Sequence, residues 1–176
     1  DRRGATSVSK DVIDNVARAM TTIPDGLTIN SKLKRVIEGR KTAIASGENI
    51  DWSTAEHLAF GTLLVEGNIV RLSGQDSCRG TFSQRHAVFV DQDSCRGTFS
   101  QRHAVFVDQE TNERYTPLHH ISPDQSTFEV IDSPLSEASV LGFDYGFSQA
   151  EPKALVMWEA QFGDFANGAQ VIVDQF

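Results

Sequence analysis

The chain has 176 residues, of which 39% are hydrophobic and 23% are charged, a composition typical of one globular domain with a hydrophobic core. Its formal net charge of −8 argues against nucleic acid or an anionic membrane surface as a partner. Two cysteines cannot build a disulfide framework, and no apolar run is long enough to span a membrane. The chain starts at Asp1 without a methionine, and we expect it to be an internal piece of a longer protein.

Three helices are predicted in the first part of the chain. Apolar residues recur at helical spacing before residue 21, where Ser9 is a candidate N-cap. Asn30 or Ser31 is a candidate N-cap of the second helix, and Gly67 is a typical stop for the third. The predicted helices span residues 10–20, 31–40 and 53–65.

The middle of the chain contains the block DSCRGTFSQRHAVFVDQ twice, at residues 76–92 (the first copy) and 93–109 (the second copy). Two short, identical copies do not match a stacked repeat architecture. We interpret them as a recent in-frame duplication or a sequence-assembly artefact. The first copy follows the upstream sequence and the second precedes the downstream sequence. The extra residues can therefore loop out while both junctions stay native.

The strand and helix pattern predicts an α/β fold with a doubly wound, mainly parallel sheet. The predicted strands span residues 69–72, 127–131 and 154–158, and the predicted helices span residues 133–150 and 168–176. Polar residues follow the strands, among them Gln75 and Glu137. Ligands bind at the carboxyl ends of the strands in such sheets, so this edge is the candidate site.

Five motifs support a family assignment. They are RLSGQD (71–76), RGTFSQRHAV (79–88), YTPLHH (115–120), SPLSEASVLGFDYGF (133–147) and WEAQFGDFANGAQVIVDQF (158–176). In this order they resemble the decarboxylating first component of 2-oxoglutarate dehydrogenase, a thiamine-diphosphate enzyme. The relative that acts on 2-oxoadipate shares most of these strings. The resemblance implies an incomplete pyrimidine-binding domain at residues 46–176, preceded by a helical linker segment at residues 1–45.

Glu137 is the catalytic residue that the resemblance implies. In the family, this glutamate hydrogen-bonds a ring nitrogen of the cofactor's aminopyrimidine. Proton sharing there favours the imino tautomer, whose nitrogen removes the proton from the thiazolium carbon. The resulting ylid attacks the 2-oxo acid and accepts electrons when carbon dioxide leaves. The alternative is a first-turn glutamate that is favoured only by the helix dipole.

Three further residues are implied as cofactor-binding. Gln75 resembles a glutamine that lines the family's active site, where an amide can bond cofactor or substrate. A strand-end glutamine that bonds a neighbouring loop is the alternative. Phe162 and Phe165 lie where thiamine enzymes place an aromatic ring against the pyrimidine. Either could equally be a core residue, and the sequence does not choose between them.

The histidines and cysteines carry weaker signals. His86, or its copy His103, is a candidate acid–base group, although a structural role fits its neighbours better. Adjacent side chains such as those of His119 and His120 point apart on an extended segment, so no metal site is predicted there. The remaining candidates, Cys78 and Cys95, show no sign of activation.

The resemblance also implies what lies elsewhere. The family's GDG motif binds Mg²⁺ and the diphosphate, and this sequence does not contain it. We therefore expect Mg²⁺ and the diphosphate outside these residues, and no activity from the isolated chain.

The implied partners are a second subunit in a homodimer through the cofactor interface, a lipoyl-carrying acyltransferase and a 2-oxo acid substrate. Cytoplasm is the favoured compartment, with the mitochondrial matrix as the alternative. A non-catalytic interaction module or a degenerate product that does not fold stably are the competing hypotheses.

Overall fold

The computed structural model describes residues 4, 6–75, 77, 86–88, 102–160 and 168–176. The helices are α1 Lys10–Thr21, α2 Ser31–Ser46, α3 Trp52–Val65, α4 Glu137–Ala150 and α5 Gln170–Gln175. The strands are β1 Val70–Gly74, β2 His86–Val88, β3 Arg102–Val107, β4 Arg114–Tyr115, β5 Phe128–Asp132 and β6 Leu155–Glu159. No helix in these ranges is long and apolar enough to cross a membrane.

Side-chain caps set the starts of the first two helices. Ser9 accepts a hydrogen bond from the backbone N–H of Val12, and Asn30 accepts one from Lys32. These contacts confirm Ser9 and select Asn30 over Ser31 as the cap of α2. The predicted end of α2 near residue 40 is wrong, because the helix continues to Ser46. It ends at Gly47, whose φ of 71° is the left-handed conformation that favours glycine.

The main sheet has the strand order β5-β1-β6, and both of its strand pairs are parallel. In the central strand, Leu72 pairs with Val130 on one side and with Met157 on the other. All five residues of β1 are buried, because helices cover both faces of the sheet. Val70 belongs to a core with α1 and α3, whereas Arg71 on the opposite face reaches α4. The predicted doubly wound α/β fold is confirmed.

The first helix packs directly onto this domain. Val16 and Met20 of α1 share one hydrophobic core with Leu58 and Leu64 of α3. A Cβ atom at Gly61 would overlap the side chain of Val16, so the glycine permits the close approach of α1 and α3. The division of the chain near residue 45 stays a prediction.

A second, smaller sheet was not predicted. It has the strand order β2-β3-β4, and it pairs the two copies of the duplicated block with each other. The β2–β3 pair is parallel, with Val88 opposite its own copy Val105, and the β3–β4 pair is antiparallel. Identical β-prone segments explain this pairing, since each strand meets a partner with the same preference for extended structure.

The downstream end of the second copy is built into the fold. Phe106 is 1% exposed and packs in a core with Ile29, Leu33 and Ile37. Asp108 accepts hydrogen bonds from the backbone of Thr28, Glu110 and Thr111 at 2.7–2.8 Å. Cys78 and Cys95 lie outside the described residues.

The predicted start of α4 at Ser133 is also wrong, because the helix begins at Glu137. The backbone N–H of Ser133 donates to the carbonyl oxygen of Gly74 at 2.8 Å, which continues the pairing beside β1. Ser133 also precedes Pro134, and a residue before proline is pushed towards extended conformations. The three residues that follow Ser133 therefore connect β5 to α4.

Candidate active site

Gln75 and Glu137, 62 positions apart in the sequence, meet at the carboxyl edge of the parallel sheet. Gln75 follows β1, and Glu137 is the first residue of α4, which comes after the neighbouring strand β5. Gln75 Nε2 donates a hydrogen bond to Glu137 Oε1 at 3.3 Å. Gln75 is 8% exposed and Glu137 is half-buried, so this amide–carboxylate pair is partly shielded from water. Whether either residue binds a cofactor stays a prediction.

Two glycines allow neighbouring groups to approach closely at this edge of the sheet. A Cβ atom at Gly168 would overlap Glu137 Oε2, the carboxylate oxygen that Gln75 does not contact. A Cβ atom at Gly74 would overlap the carbonyl oxygen of Glu159, and Gly74 has a φ of 152°. Sequence reasoning missed both glycines. Their only signal is their position inside the motifs SGQ and NGAQ, at the strand and helix ends that form the site.

A buried charged network lies behind the pair, on the same face of β1. Arg71 Nε donates to Asp144 Oδ1 of α4 at 2.8 Å, and Arg71 Nη1 donates to Glu129 Oε2 of β5 at 2.5 Å. Ser73 donates its hydroxyl to the second oxygen of Asp144. Asp144 is 3% exposed. Burial lowers the pKa of Arg71, but the hydrogen bonds and charges of Asp144 and Glu129 outweigh it and hold this pKa above its usual value.

Two aromatic rings of α4 complete the surroundings of Arg71. Its guanidinium carbon lies 5.0 Å from the ring centroid of Phe143 and 5.2 Å from that of Phe147. Both separations are within the range of cation–π attraction. Sequence reasoning missed this network, which joins residues 58 to 73 positions apart and has no local spacing signal.

The remaining candidate residues do not join the pair within the described part of the chain. His119 Nε2 lies 2.8 Å from the carbonyl oxygen of Phe128, and His120 stacks on Tyr115 with ring centroids 4.5 Å apart. These contacts fit structural roles. Phe162 and Phe165 lie outside the described residues, and so do the side chains of His86 and His103. In the described ranges, no group of three or more His, Cys, Asp or Glu residues could hold a metal ion.

The chemistry of the pair suits a neutral nitrogen heterocycle. A half-buried carboxylate can accept a hydrogen bond from a ring N–H, or share a proton with a ring nitrogen. The adjacent amide can orient that carboxylate without adding charge. A phosphate group calls for cationic or backbone N–H donors, and neither Gln75 nor Glu137 supplies a positive charge. The pair therefore fits an aminopyrimidine better than a diphosphate.

A family model described as "Transketolase, pyrimidine binding domain" matches residues 48–176. The chain therefore belongs to this family of pyrimidine-binding domains. It is 51% identical over 171 residues to the mitochondrial 2-oxoglutarate dehydrogenase of Schizosaccharomyces pombe. This alignment covers 97% of the chain and 15% of that relative. It is 47% identical over 175 residues to a 2-oxoglutarate dehydrogenase E1 component of Brucella anthropi. This second alignment covers 99% of the chain and 16% of that relative. These matches confirm the family resemblance of the five motifs.

Proposed function

We propose that this chain forms the pyrimidine side of the active site in a thiamine-diphosphate-dependent 2-oxoglutarate dehydrogenase. The observation that carries the proposal is the Gln75–Glu137 hydrogen bond at the carboxyl edge of the parallel sheet. Identity of 47–51% to 2-oxoglutarate dehydrogenases over nearly the whole chain supports it. Because the chain spans only 15–16% of the length of these relatives, the activity belongs to the full-length protein that carries this sequence.

Glu137 has the central role in this proposal. Its carboxylate shares a proton with a ring nitrogen of the aminopyrimidine, and Gln75 orients the carboxylate by donating to Oε1. Thiamine diphosphate supplies a nucleophilic carbon and an electron sink for the loss of carbon dioxide from a 2-oxo acid. Phe162 or Phe165 stacks on the pyrimidine, and Mg²⁺ and the diphosphate bind to other parts of the protein.

The proposed partners follow from this assignment. A second subunit completes the cofactor site in a homodimer, and a lipoyl-carrying acyltransferase accepts the acyl group. The substrate is 2-oxoglutarate, with 2-oxoadipate as the alternative. The relatives include a mitochondrial and a bacterial protein. We propose the cytoplasm as the compartment, with the mitochondrial matrix as the alternative.

The test is Glu137→Gln in the full-length protein, loaded with thiamine diphosphate and Mg²⁺. Loss of the shared proton lowers kcat for 2-oxoglutarate by about 100-fold or more, since a positioned proton-transfer group contributes that much. The matched control is Glu151→Gln at the other end of the same helix, which keeps wild-type kcat. Equal kcat values in both variants would sink the proposal. Parallel assays with 2-oxoadipate decide between the two substrates.

A non-catalytic interaction module is the second candidate function. Large exposed apolar side chains favour it, among them Leu135 before α4, Phe143 of α4 and Val173 of α5. A long sequencing read across the gene separates the two candidates. A continuous frame with a GDG motif upstream supports the enzyme, whereas a frame confined to these residues supports the interaction module.

A further inference from the structure

We propose that Arg71 and Asp144 are positioning residues, which fix α4 along β1 so that the Glu137 carboxylate stays within reach of Gln75. This inference rests on the proposed function, because it assigns a purpose to the buried network behind the same site. The network was not among the predicted site residues. It touches the helix that carries Glu137 and the strand that ends one residue before Gln75.

The spacing of the contacts carries the argument. Glu137 and Asp144 are seven residues apart, which is two helical turns and about 10.5 Å on one face of α4. The partner of Glu137 is Gln75, just after β1, and the partners of Asp144 are Ser73 and Arg71 within β1, about 7 to 13 Å away along the strand direction. α4 therefore contacts β1 and the residue after it at two points, and the distance between these points is similar on the helix and along the strand. Two points of attachment prevent α4 from sliding along β1, which one contact could not do.

Arg71 is suited to this task by the shape of its guanidinium group. Its Nε atom donates to Asp144 on α4 and its Nη1 atom to Glu129 on β5, so one side chain of β1 joins three elements. The same group lies against the rings of Phe143 and Phe147, which are both on α4. A planar fork that meets two carboxylates and two rings favours one arrangement of the helix.

A purely stabilising role explains these residues less well. Buried ion pairs are often no more stabilising than apolar residues of similar volume, because desolvation offsets the attraction. Their distinctive effect is directional, since hydrogen bonds to both oxygens of Asp144 fix its orientation. Here the fixed orientation lies two turns from the residue that carries the proposed chemistry.

The test compares two buried aspartates in the full-length protein. Asp144→Asn removes the charge that faces Arg71 while keeping the size of the side chain. Asp108→Asn is the matched control, because Asp108 is 4% exposed, accepts three backbone hydrogen bonds and lies just after β3 of the second sheet. The measurements are kcat, KM for 2-oxoglutarate, the thermal midpoint, and amide hydrogen exchange of residues 137–143 without cofactor.

We expect Asp144→Asn to lower kcat by about 10-fold or more and to leave KM within about twofold, because a small misplacement of a reacting group costs this much. Amide exchange at the start of α4 becomes faster by a similar factor. Asp108→Asn lowers the thermal midpoint but leaves kcat and α4 exchange unchanged. Should Asp144→Asn fail to fold, Arg71→Lys carries the same expectations, because lysine keeps the charge and loses the fork.

A wild-type kcat in Asp144→Asn would overturn the positioning role. So would equal losses of kcat in Asp144→Asn and Asp108→Asn at equal thermal midpoints, because the loss would then reflect stability alone. The Glu137→Gln variant separates this outcome from a failure of the proposed function. If Glu137→Gln is inactive while Asp144→Asn is fully active, the proposed function stands and the positioning role falls. If Glu137→Gln is active, the proposed function falls and takes the positioning role with it.

Discussion

At the scale of single residues, Gly168 leaves the space that the Glu137 carboxylate occupies. Added to Gly168, a Cβ atom would overlap Oε2 and approach Cβ of Glu137 to 3.6 Å. The overlapping oxygen is the far end of a flexible side chain, so the clash is relieved by rotation of that side chain. We expect such a rotation to cost little folding free energy and to disturb the hydrogen bond between the carboxylate and Gln75.

Gly168→Ala is therefore expected to separate activity from stability. In the full-length protein, kcat falls by about 10-fold or more, because the proposed proton-sharing group is misplaced. The free energy of unfolding changes by less than about 1 kcal/mol. The control is Gly146→Ala within α4, where an added Cβ meets nothing within 4 Å and helix propensity favours alanine. Steady-state kinetics and thermal unfolding measure both. Unchanged kcat in Gly168→Ala would mean that the carboxylate can act from another position.

At the scale of elements, the sequence predicts those strands and site positions that follow from the local pattern of apolar and polar residues. The strands β1, β5 and β6 lie within two residues of their predicted bounds, because each is a short apolar run between polar turns. The placement of Gln75 and Glu137 at one edge was predictable too, since the carboxyl ends of parallel strands meet there. Their direct hydrogen bond was not predicted, because side-chain distances depend on how α4 docks.

What the sequence does not predict depends on contacts between distant residues. No spacing rule links Arg71 to Asp144, which is 73 positions away and becomes a partner only when α4 packs on β1. The predicted start of α4 was wrong because proline is common at an early helical position. In this structure, the backbone N–H of Ser133 instead donates to the carbonyl oxygen of Gly74. The β2–β3 pair was not predicted, because the duplicated block was interpreted as extra residues that can loop out.

The connection between β3 and β4 gives the fold a specific response to acid. Backbone N–H groups of Thr28, Thr111 and Glu110 lower the pKa of Asp108 from 3.8 to about 2. A carboxyl with a depressed pKa stabilises the fold above its unfolded pKa. That stabilisation is lost as the pH falls through the folded pKa. The window for this loss therefore lies between about pH 4 and about pH 2.

Asp108→Asn is expected to remove this part of the pH dependence. The thermal midpoint of the variant lies below that of the wild type at pH 7, because the amide has no charge to attract the three N–H donors. As the pH falls from about 4 to about 2, the difference between the two midpoints shrinks. Circular dichroism melts across this range measure the effect, with Asp124→Asn at an exposed position as the control. A constant difference at all pH values would show that the charge of Asp108 does not stabilise the connection.

At the scale of the whole molecule, the duplicated block joins the sequence that ends at Gln75 to the sequence that begins at Glu110, a connection that one copy could make alone. The first copy begins next to Gln75, at the site end of β1, and the second copy ends with Asp108 and Gln109. Gln109 donates its N–H to the carbonyl oxygen of Thr28 at 3.1 Å, beside the contacts of Asp108. Deleting residues 76–92 or residues 93–109 produces the same single-copy chain, which keeps both junctions.

The single-copy chain is expected to keep the candidate site and to lose the β2–β3 pair. Shortening a flexible connection by seventeen residues changes the closure free energy by only about 0.5 kcal/mol, so the free energy of unfolding stays within about 1 kcal/mol of its original value. In the full-length protein, kcat for 2-oxoglutarate is unchanged or higher, because the single-copy chain keeps Gln75, the residues that follow it and the whole of α4. Denaturant unfolding and steady-state kinetics on the two-copy and one-copy proteins measure these quantities. A loss of more than about 3 kcal/mol would contradict the expectation. It would make the pairing of the two copies part of the folded core, because removing an inserted loop does not cost that much.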